Sequence, residues 1–379
     1  MGHGLAAAGV QPNYLVQKMK AGDAQPMTSM NSYQLLEWGK PLQLRLQEVP
    51  VPQGVEVLVK IEAAGVCHSD LHIRDGYFDL GGGRRLTAEQ FGSKLPLTMG
   101  HEMAGVVAAK GPNATGPATG TKVVVYPWIG CGTCEHCLDE RDTDCEKQRS
   151  LGTRTHGGFS EYVLVPKGRY LVPTGDVDLK LAATYACSGL TAYGALKKMP
   201  RMSAKDRLLV IGAGGLGLAA LSIAPLVTEA GLVVVDLDPA KLEAATRQGA
   251  HVVFDSRTPD AAAALKLAAG GPIRGVIDFV GSRETAELAM AVAVKGTVIA
   301  IVGMMGGSLE IPLALMSPRN LTIRGSHVGT LDELKALVQF ASEGRLPPIP
   351  VETRPMSEIN NILDDLEARR LIGRVVTVP

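Results

Sequence analysis

Residues 208–217 read Leu-Leu-Val-Ile-Gly-Ala-Gly-Gly-Leu-Gly, an apolar run that ends in glycines and passes into a helical pattern. Strand, tight turn and helix in that order form a dinucleotide-binding unit. Gly212, Gly214 and Gly217 permit the turn, close backbone approach to a pyrophosphate, and close helix–strand packing. The helix that starts around Gly215 and Leu216 offers free N–H groups and the positive end of its dipole to phosphate. The surrounding sequence has the texture such a unit requires. Strand candidates at 206–211, 231–236, 251–254, 274–279 and 296–302 alternate with helical stretches near 215–228, 239–248, 258–269 and 283–292. That alternation predicts a parallel sheet with helices on both faces. Pro225, late in the first of these helices, ends or kinks it.

Upstream the pattern changes. Short β-rich runs at 42–49, 55–63, 104–110, 121–126 and 159–165 are separated by Pro and Gly turns, which predicts a mostly antiparallel β domain with no helix-period segment of length. Downstream, a last strand near 321–325 leads to a helix over 331–342 and a loop marked by Pro347, Pro348 and Pro350. The tail, 357–379, holds one more helix and a strand at 374–378, expected to return to the first domain. A chain of 379 residues exceeds a single ordinary core, so two domains are expected.

Lys+Arg and Asp+Glu both number 38. A net charge of zero argues against nucleic acid as a partner, and no apolar run is long enough to span a bilayer. The first 29 residues lack a continuous apolar stretch and read as a polar, flexible extension rather than a signal peptide. The six cysteines have metal-site spacing, so they read as thiolates on metal, not disulfides, and the chain as cytoplasmic.

Four of them form one group. Cys131, Cys134 and Cys137 stand at i, i+3 and i+6, and Cys145 follows after seven residues. Such a lobe can place four sulfurs tetrahedrally around one Zn²⁺, and four thiolates leave no open coordination position, which makes that metal structural. A zinc-ribbon recognition module has the same spacing, but it lacks support from any basic face. The other two, Cys67 and Cys187, together with His101, supply two sulfurs and one nitrogen, the ligand types of a catalytic zinc with an open position. Their spacing is long-range and does not by itself join them. Such a zinc binds an alcohol oxygen and lowers its pKa. Asp70 is a candidate acceptor for His101, and Glu102 a candidate alternate ligand or electrostatic neighbour.

These residues resemble those of the zinc-dependent medium-chain alcohol dehydrogenases. The likeness runs from about Tyr33 to the C-terminus and rests on Gly65-Val-Cys67-His-Ser-Asp70, Gly100-His101-Glu102, the four-cysteine lobe, Cys187 ahead of Thr191, the glycine turn, and Gly373-Arg374-Val-Val. The resemblance implies an α/β protein with a GroES-like catalytic domain at 30–188, completed by 329–379, and a Rossmann domain at 189–328 that binds NAD, with the active site in the cleft between. It carries Cys67, His101 and Cys187 over as catalytic zinc ligands. Ser69 falls on the hydroxyl that takes the substrate proton and His72 on the outer relay base. Thr191 falls where the nicotinamide packs, and Arg374 and His68 on pyrophosphate contacts. A Ser hydroxyl alone is too weak a base, but it can pass a proton to an imidazole.

Asp236 ends the second Rossmann strand 24 residues after Gly212, the place of a ribose-binding acid that repels a 2′-phosphate. NAD rather than NADP is therefore expected, with Lys241 as a second ribose contact. Asp238, ahead of Pro239, is the better helix N-cap. Between Cys67 and His101 the chain is longer than the family's usual span. The extra residues, within 77–94, are expected either to rim the substrate cleft or to decorate the surface, with Tyr77, Phe78 and Trp128 as candidate apolar walls. The reading is an enzyme converting a small primary or secondary alcohol to an aldehyde or ketone, as a homodimer or homotetramer. A polyol or hydroxy-ketone dehydrogenase is the same-superfamily alternative, and a non-catalytic zinc- and NAD-binding sensor the different-class one. Ser69 and His72 weigh against the sensor. The three candidate ligands weigh against a zinc-free quinone or enoyl reductase.

Overall fold

The computed structural model describes Met1 and residues 29–379; the N-terminal extension read from the sequence lies, apart from its two end residues, outside them. Six strands form one parallel sheet in the spatial order Val252–Asp255, Gly231–Asp236, Arg207–Ile211, Ile273–Asp278, Val298–Ile301, Thr322–Gly325. The first strand in sequence lies at the centre, and the chain builds outward from it in both directions. This is the doubly wound order, whose ligand crevice opens at the carboxyl ends of the strands where that direction reverses. Gly212 sits at that point. The central strands are apolar throughout because helices cover both faces: Leu208–Ile211 and Leu232–Val235 are all buried. The helix after the glycine turn, Gly215–Ile223, stops before Pro225, which lies in a 3₁₀ turn.

The second unit is a seven-stranded sheet. Its order is Leu171–Pro173, Lys122–Val125, Glu102–Lys110, Val57–Gly65, Arg374–Val378, Val351–Pro355, with Tyr162–Val165 also on Val57–Gly65. All its pairings are antiparallel except the last. The C-terminal strand enters this sheet through Val376 opposite Gly65. Gly65 also stands opposite Glu102. Three strands thus bring Cys67, His101–Glu102 and Arg374 to one place, although these residues lie far apart in the sequence.

One sequence expectation fails here. The β domain does contain a helix of substance, His68–Asp75. Its composition hides it, because its ends rather than an apolar stripe define it. The Asp70 carboxylate accepts the Cys67 backbone N–H at 2.9 Å at the start, and Gly76 closes it at φ +84°. Cys187 is held differently. The helix Leu179–Thr184 passes through a π-helical turn, Tyr185–Gly189, before continuing as Leu190–Lys197. Such turns recur at functional sites because they re-aim one side chain, and here that turn carries Cys187.

Candidate active site

Sγ of Cys67 and Cys187, a nitrogen of His101 and a carboxylate oxygen of Glu102 lie within 4.8 Å of one another, all buried. His101 Nδ1 faces Asp70 Oδ1 at 3.3 Å. Its Nε2 has no partner, and neither has Glu102 Oε2. Burying such atoms unpaired costs free energy that a cation at this point would offset. Two thiols and an imidazole nitrogen suit Zn²⁺, and the second imidazole nitrogen turned to a carboxylate is the usual arrangement around a zinc-binding histidine. The donor set fits the metal.

The electrostatics point the same way. Cys67 is held well below an ordinary thiol by a hydrogen bond from Cys187, against the opposing effect of burial, with help from His101 and Arg374. Cys187 is raised in return. Burial pushes Glu102 up to about 7, even though the Arg374 guanidinium opposes it. Arg374 donates to Glu102 Oε1 at 2.5 Å, and both side chains are buried. Burial disfavours a proton on His101, but Asp70 outweighs burial and raises it.

The second cluster is the lobe. The four Sγ atoms of Cys131, Cys134, Cys137 and Cys145 also lie within 4.8 Å of one another, and none is in a disulfide. Backbone N–H groups of Thr133 and Cys134 point at Cys131 Sγ at 3.5 and 3.4 Å, and that of Cys131 points at Cys145 Sγ at 3.3 Å. These donors favour thiolate. Hydrogen bonds from Thr133 pull Cys131 down to about 5, while burial raises Cys137 to about 12. Four sulfurs converging in this way fit a closed zinc site. Asp142 anchors the lobe, accepting from the Gly130 N–H, Arg169 and the Tyr170 hydroxyl at 3.1, 2.7 and 3.0 Å.

Across the cleft, Gly212 adopts φ +96°, which favours glycine. A Cβ at Gly215 would collide with the Arg374 side chain, so Arg374 runs from the β domain over the glycine turn and on to Glu102. Gly214 has open space where a side chain would stand. Asp236 Oδ2 accepts the Ala213 N–H at 2.7 Å, and Oδ1 accepts those of Leu237 and Asp238 at 2.7 and 3.0 Å. Asp238 caps the following helix through the Ala240 N–H, as expected. Burial lowers His68, with Arg374 and Lys241 adding to the effect. Ser69 Oγ lies 3.9 Å from Cys67 Sγ. His72 is half-buried, is lowered by that burial, and leans on Phe78 with ring centres 5.2 Å apart. Thr191 is buried one turn beyond Cys187.

The family-model scan matches an alcohol dehydrogenase GroES-like domain over residues 53–176 and a zinc-binding dehydrogenase domain over 215–343. An NAD-dependent alcohol dehydrogenase of Sulfurisphaera tokodaii is 37% identical over 352 residues, which cover 92% of this chain and all of that one. The chain belongs to the zinc-dependent medium-chain alcohol dehydrogenase family. Among solved members, the alcohol dehydrogenase of Aeropyrum pernix superposes with a TM-score of 0.82 at 30% identity, covering 92% of this chain and 100% of its own. A cobalt- and zinc-bound alcohol dehydrogenase of Pyrobaculum aerophilum gives 0.80 at 27%, covering 93% and 100%.

Within this family frame, the 77–94 insertion is a hairpin, Tyr77–Asp79 with Arg85–Thr87, followed by the short helix Ala88–Phe91. Phe78 packs between His72 and Phe91. Tyr77 lies under Arg85 instead. Trp128 stands beside His101, ring centres 5.5 Å apart, and donates from Nε1 to the Ala186 carbonyl at 3.0 Å. The sequence reading missed His327, whose ring meets Trp128 edge-on at 5.5 Å. It follows the strand Thr322–Gly325. The rule that ligands gather at the carboxyl ends of parallel strands would have pointed to it.

Proposed function

We propose that this chain is a zinc-dependent oxidoreductase that transfers a hydride between a primary or secondary alcohol and NAD, giving the aldehyde or ketone. Cys67, His101 and Cys187 would hold the catalytic zinc, and Cys131, Cys134, Cys137 and Cys145 the structural one. When bound, the catalytic zinc supplies a Lewis acid that lowers the pKa of an alcohol. NAD supplies the hydride acceptor.

The remaining work falls to the protein. Asp70 fixes the His101 ring so that Nε2 faces the two sulfurs. Ser69 Oγ takes the alcohol proton and passes it to the His72 imidazole, which burial keeps neutral and able to accept it. Thr191 would pack against the nicotinamide. Arg374 and His68 would contact the pyrophosphate, and Asp236 and Lys241 the ribose. The Asp236 carboxylate has about four acceptor positions and spends three on backbone N–H groups, which leaves one for a ribose hydroxyl and none of the donors a 2′-phosphate needs. Glu102, tied to Arg374, would balance the charge of the metal.

The catalytic domain spans 30–188 and 329–379, and the NAD-binding domain 189–328. The protein works in the cytoplasm as a homodimer or homotetramer. The carboxyl-end strand Thr322–Gly325 pairs on one side only, and the exposed Met304, Met305, Leu313 and Leu315 lie in the segment leading to it, which favours assembly there.

The observation that carries the reading is the buried convergence of Cys67, His101 and Cys187 around an unpartnered Nε2. The test is a panel of alcohols with NAD⁺ and NADP⁺ beside metal analysis. Two zincs per chain and turnover with NAD⁺ are expected. Cys67→Ser loses activity and one zinc without unfolding; full activity in Cys67→Ser overturns the zinc mechanism, and preference for NADP⁺ overturns the role of Asp236.

A further inference from the structure

The cleft holds two sets of cationic side chains, and the cofactor accounts for only one. Arg374 lies against Gly215 of the glycine turn. The second set lies near Trp128. From His101 the Trp128 ring leads to the His327 ring, each step 5.5 Å between centres. Next to His327, Ser326 Oγ accepts a hydrogen bond from Lys198 Nζ at 2.9 Å. Arg154 stacks on Phe91 of the insertion at 4.7 Å.

No described carboxylate forms an ion pair with Arg154 or Lys198. Arg154 Nη1 reaches the Gln148 carbonyl at 3.1 Å, and its buried Nε has no partner. The acidic groups nearby are engaged elsewhere: Glu333 with Lys197 at 3.7 Å and the Thr330 N–H at 2.9 Å, Asp144 with Arg141 at 3.2 Å. Burial lowers Arg154, Lys198 and His327 alike; Lys198 and Arg154 lower His327 further, while Asp144 and, for Lys198, Glu333 oppose the shift. Half-buried Arg154 and Lys198, with no carboxylate in ion-pair contact, favour an anion that joins them.

We propose that Arg154 and Lys198, beside the neutral His327 imidazole, form a cationic rim at the substrate end of the cleft, which selects alcohols and aldehydes carrying a carboxylate or phosphate at the end remote from the reacting carbon. The proposal rests on the alcohol dehydrogenase reading and adds the substrate class. Trp128 neighbours both His101 and His327, so the substrate needs an aliphatic spacer between its two ends.

The test compares matched substrates on the zinc-loaded enzyme with NAD⁺: 6-hydroxyhexanoate, its methyl ester, 1-hexanol, and 6-hydroxyhexyl phosphate. The anionic members are expected to exceed 1-hexanol and the ester in kcat/KM by about tenfold at low salt, the scale of one charge-assisted hydrogen bond, and to lose that lead as salt rises. Which anion leads identifies carboxylate or phosphate as the preferred group. Lys198→Met, His327→Leu and Arg154→Met each shrink the ratio of anionic to neutral kcat/KM severalfold, and Lys198→Arg retains it. A second readout is independent of turnover. In a Trp38→Phe background, hexanoate perturbs the remaining Trp128 fluorescence saturably, and Lys198→Met weakens that effect. Equal kcat/KM for charged and neutral substrates overturns the proposal, as does hexanoate without effect on Trp128. An enzyme inactive on all four alcohols overturns the dehydrogenase reading, while the fluorescence titration still decides the rim.

Discussion

His72 and Ser69 divide between them a proton transfer that neither performs alone. Burial holds the His72 imidazole below its ordinary value, so it is neutral at pH 7 and titrates only under more acidic conditions. Alcohol oxidation consumes that neutral form. Its kcat/KM should therefore stay flat as pH falls from 8 towards the ordinary histidine value of about 6.5 and decline only below it. His72→Gln removes the limb and slows oxidation by about 10²-fold at pH 7. A pH–rate profile of both proteins checks this, and an unaltered limb in His72→Gln assigns the proton to another group. At this scale the sequence was informative wherever chemistry demands a residue type within a short motif, as in Cys67-His-Ser-Asp70. It was silent on His327, because nothing local marks a histidine that matters only through the tryptophan it faces. The spacing of Cys67, His101 and Cys187 was equally uninformative by itself; only the resemblance joined them.

Caps and glycines set the elements that aim these residues, and there the sequence was legible in part. The parallel strands and the helix Leu331–Ser342 follow from apolar period, and the C-terminal strand Arg374–Val378 returns to the first sheet. The helix His68–Asp75 escaped because its polar sequence shows no stripe. The insertion escaped because its register depends on a contact remote in sequence. Gly81, at φ +77°, faces the backbone of Gly307, and Gly306 faces Asp79. The hairpin therefore reaches across the cleft to the loop after the strand Val298–Ile301. Gly81→Val should prise the two apart, since a Cβ there meets backbone that cannot yield. The expected outcome is a higher KM for the alcohol and a melting point lowered by about 2–6 °C; an unaltered KM places the hairpin outside the cleft's closure. The cysteine lobe is anchored by Asp142 and by its four converging sulfurs, which fit a closed zinc site. Cys134→Ser leaves three thiolates for a four-ligand site, and should lose one zinc together with stability at 37 °C. Scanning calorimetry beside metal analysis separates it from Cys67→Ser, which loses a zinc and keeps its fold.

Arg374 ties the two sheets into one machine. It starts the last strand of the β domain, crosses the glycine turn against Gly215, and ends on Glu102. One side chain thus links the phosphate side of the cleft to the metal side, so its removal has two separable consequences. The first is structural. Arg374→Leu leaves Glu102 buried without its counter-charge, and breaking a buried pair in this way costs roughly 3–5 kcal/mol. Burial already pushes Glu102 up to about 7 with the guanidinium present, so in the variant it should take up a proton at neutral pH, limiting the loss. A carboxyl whose folded pKa lies above its unfolded value contributes most below the unfolded pKa and less as pH rises through the folded one. Arg374→Leu should accordingly lose more stability at pH 8 than at pH 6. The second consequence concerns the cofactor: the pyrophosphate loses a cation, and KM for NAD⁺ should rise about tenfold. The double variant Arg374→Leu/Glu102→Gln distinguishes the two. Replacing the carboxylate by a neutral amide removes the stranded charge, so melting temperature and its pH dependence should recover while the raised KM for NAD⁺ persists. Denaturation at the two pH values with NAD⁺ kinetics completes the cycle. Recovery of both properties together would mean that Arg374 acts on the cofactor only by positioning Glu102, and recovery of neither would mean that its strand, rather than its charge, holds the cleft together.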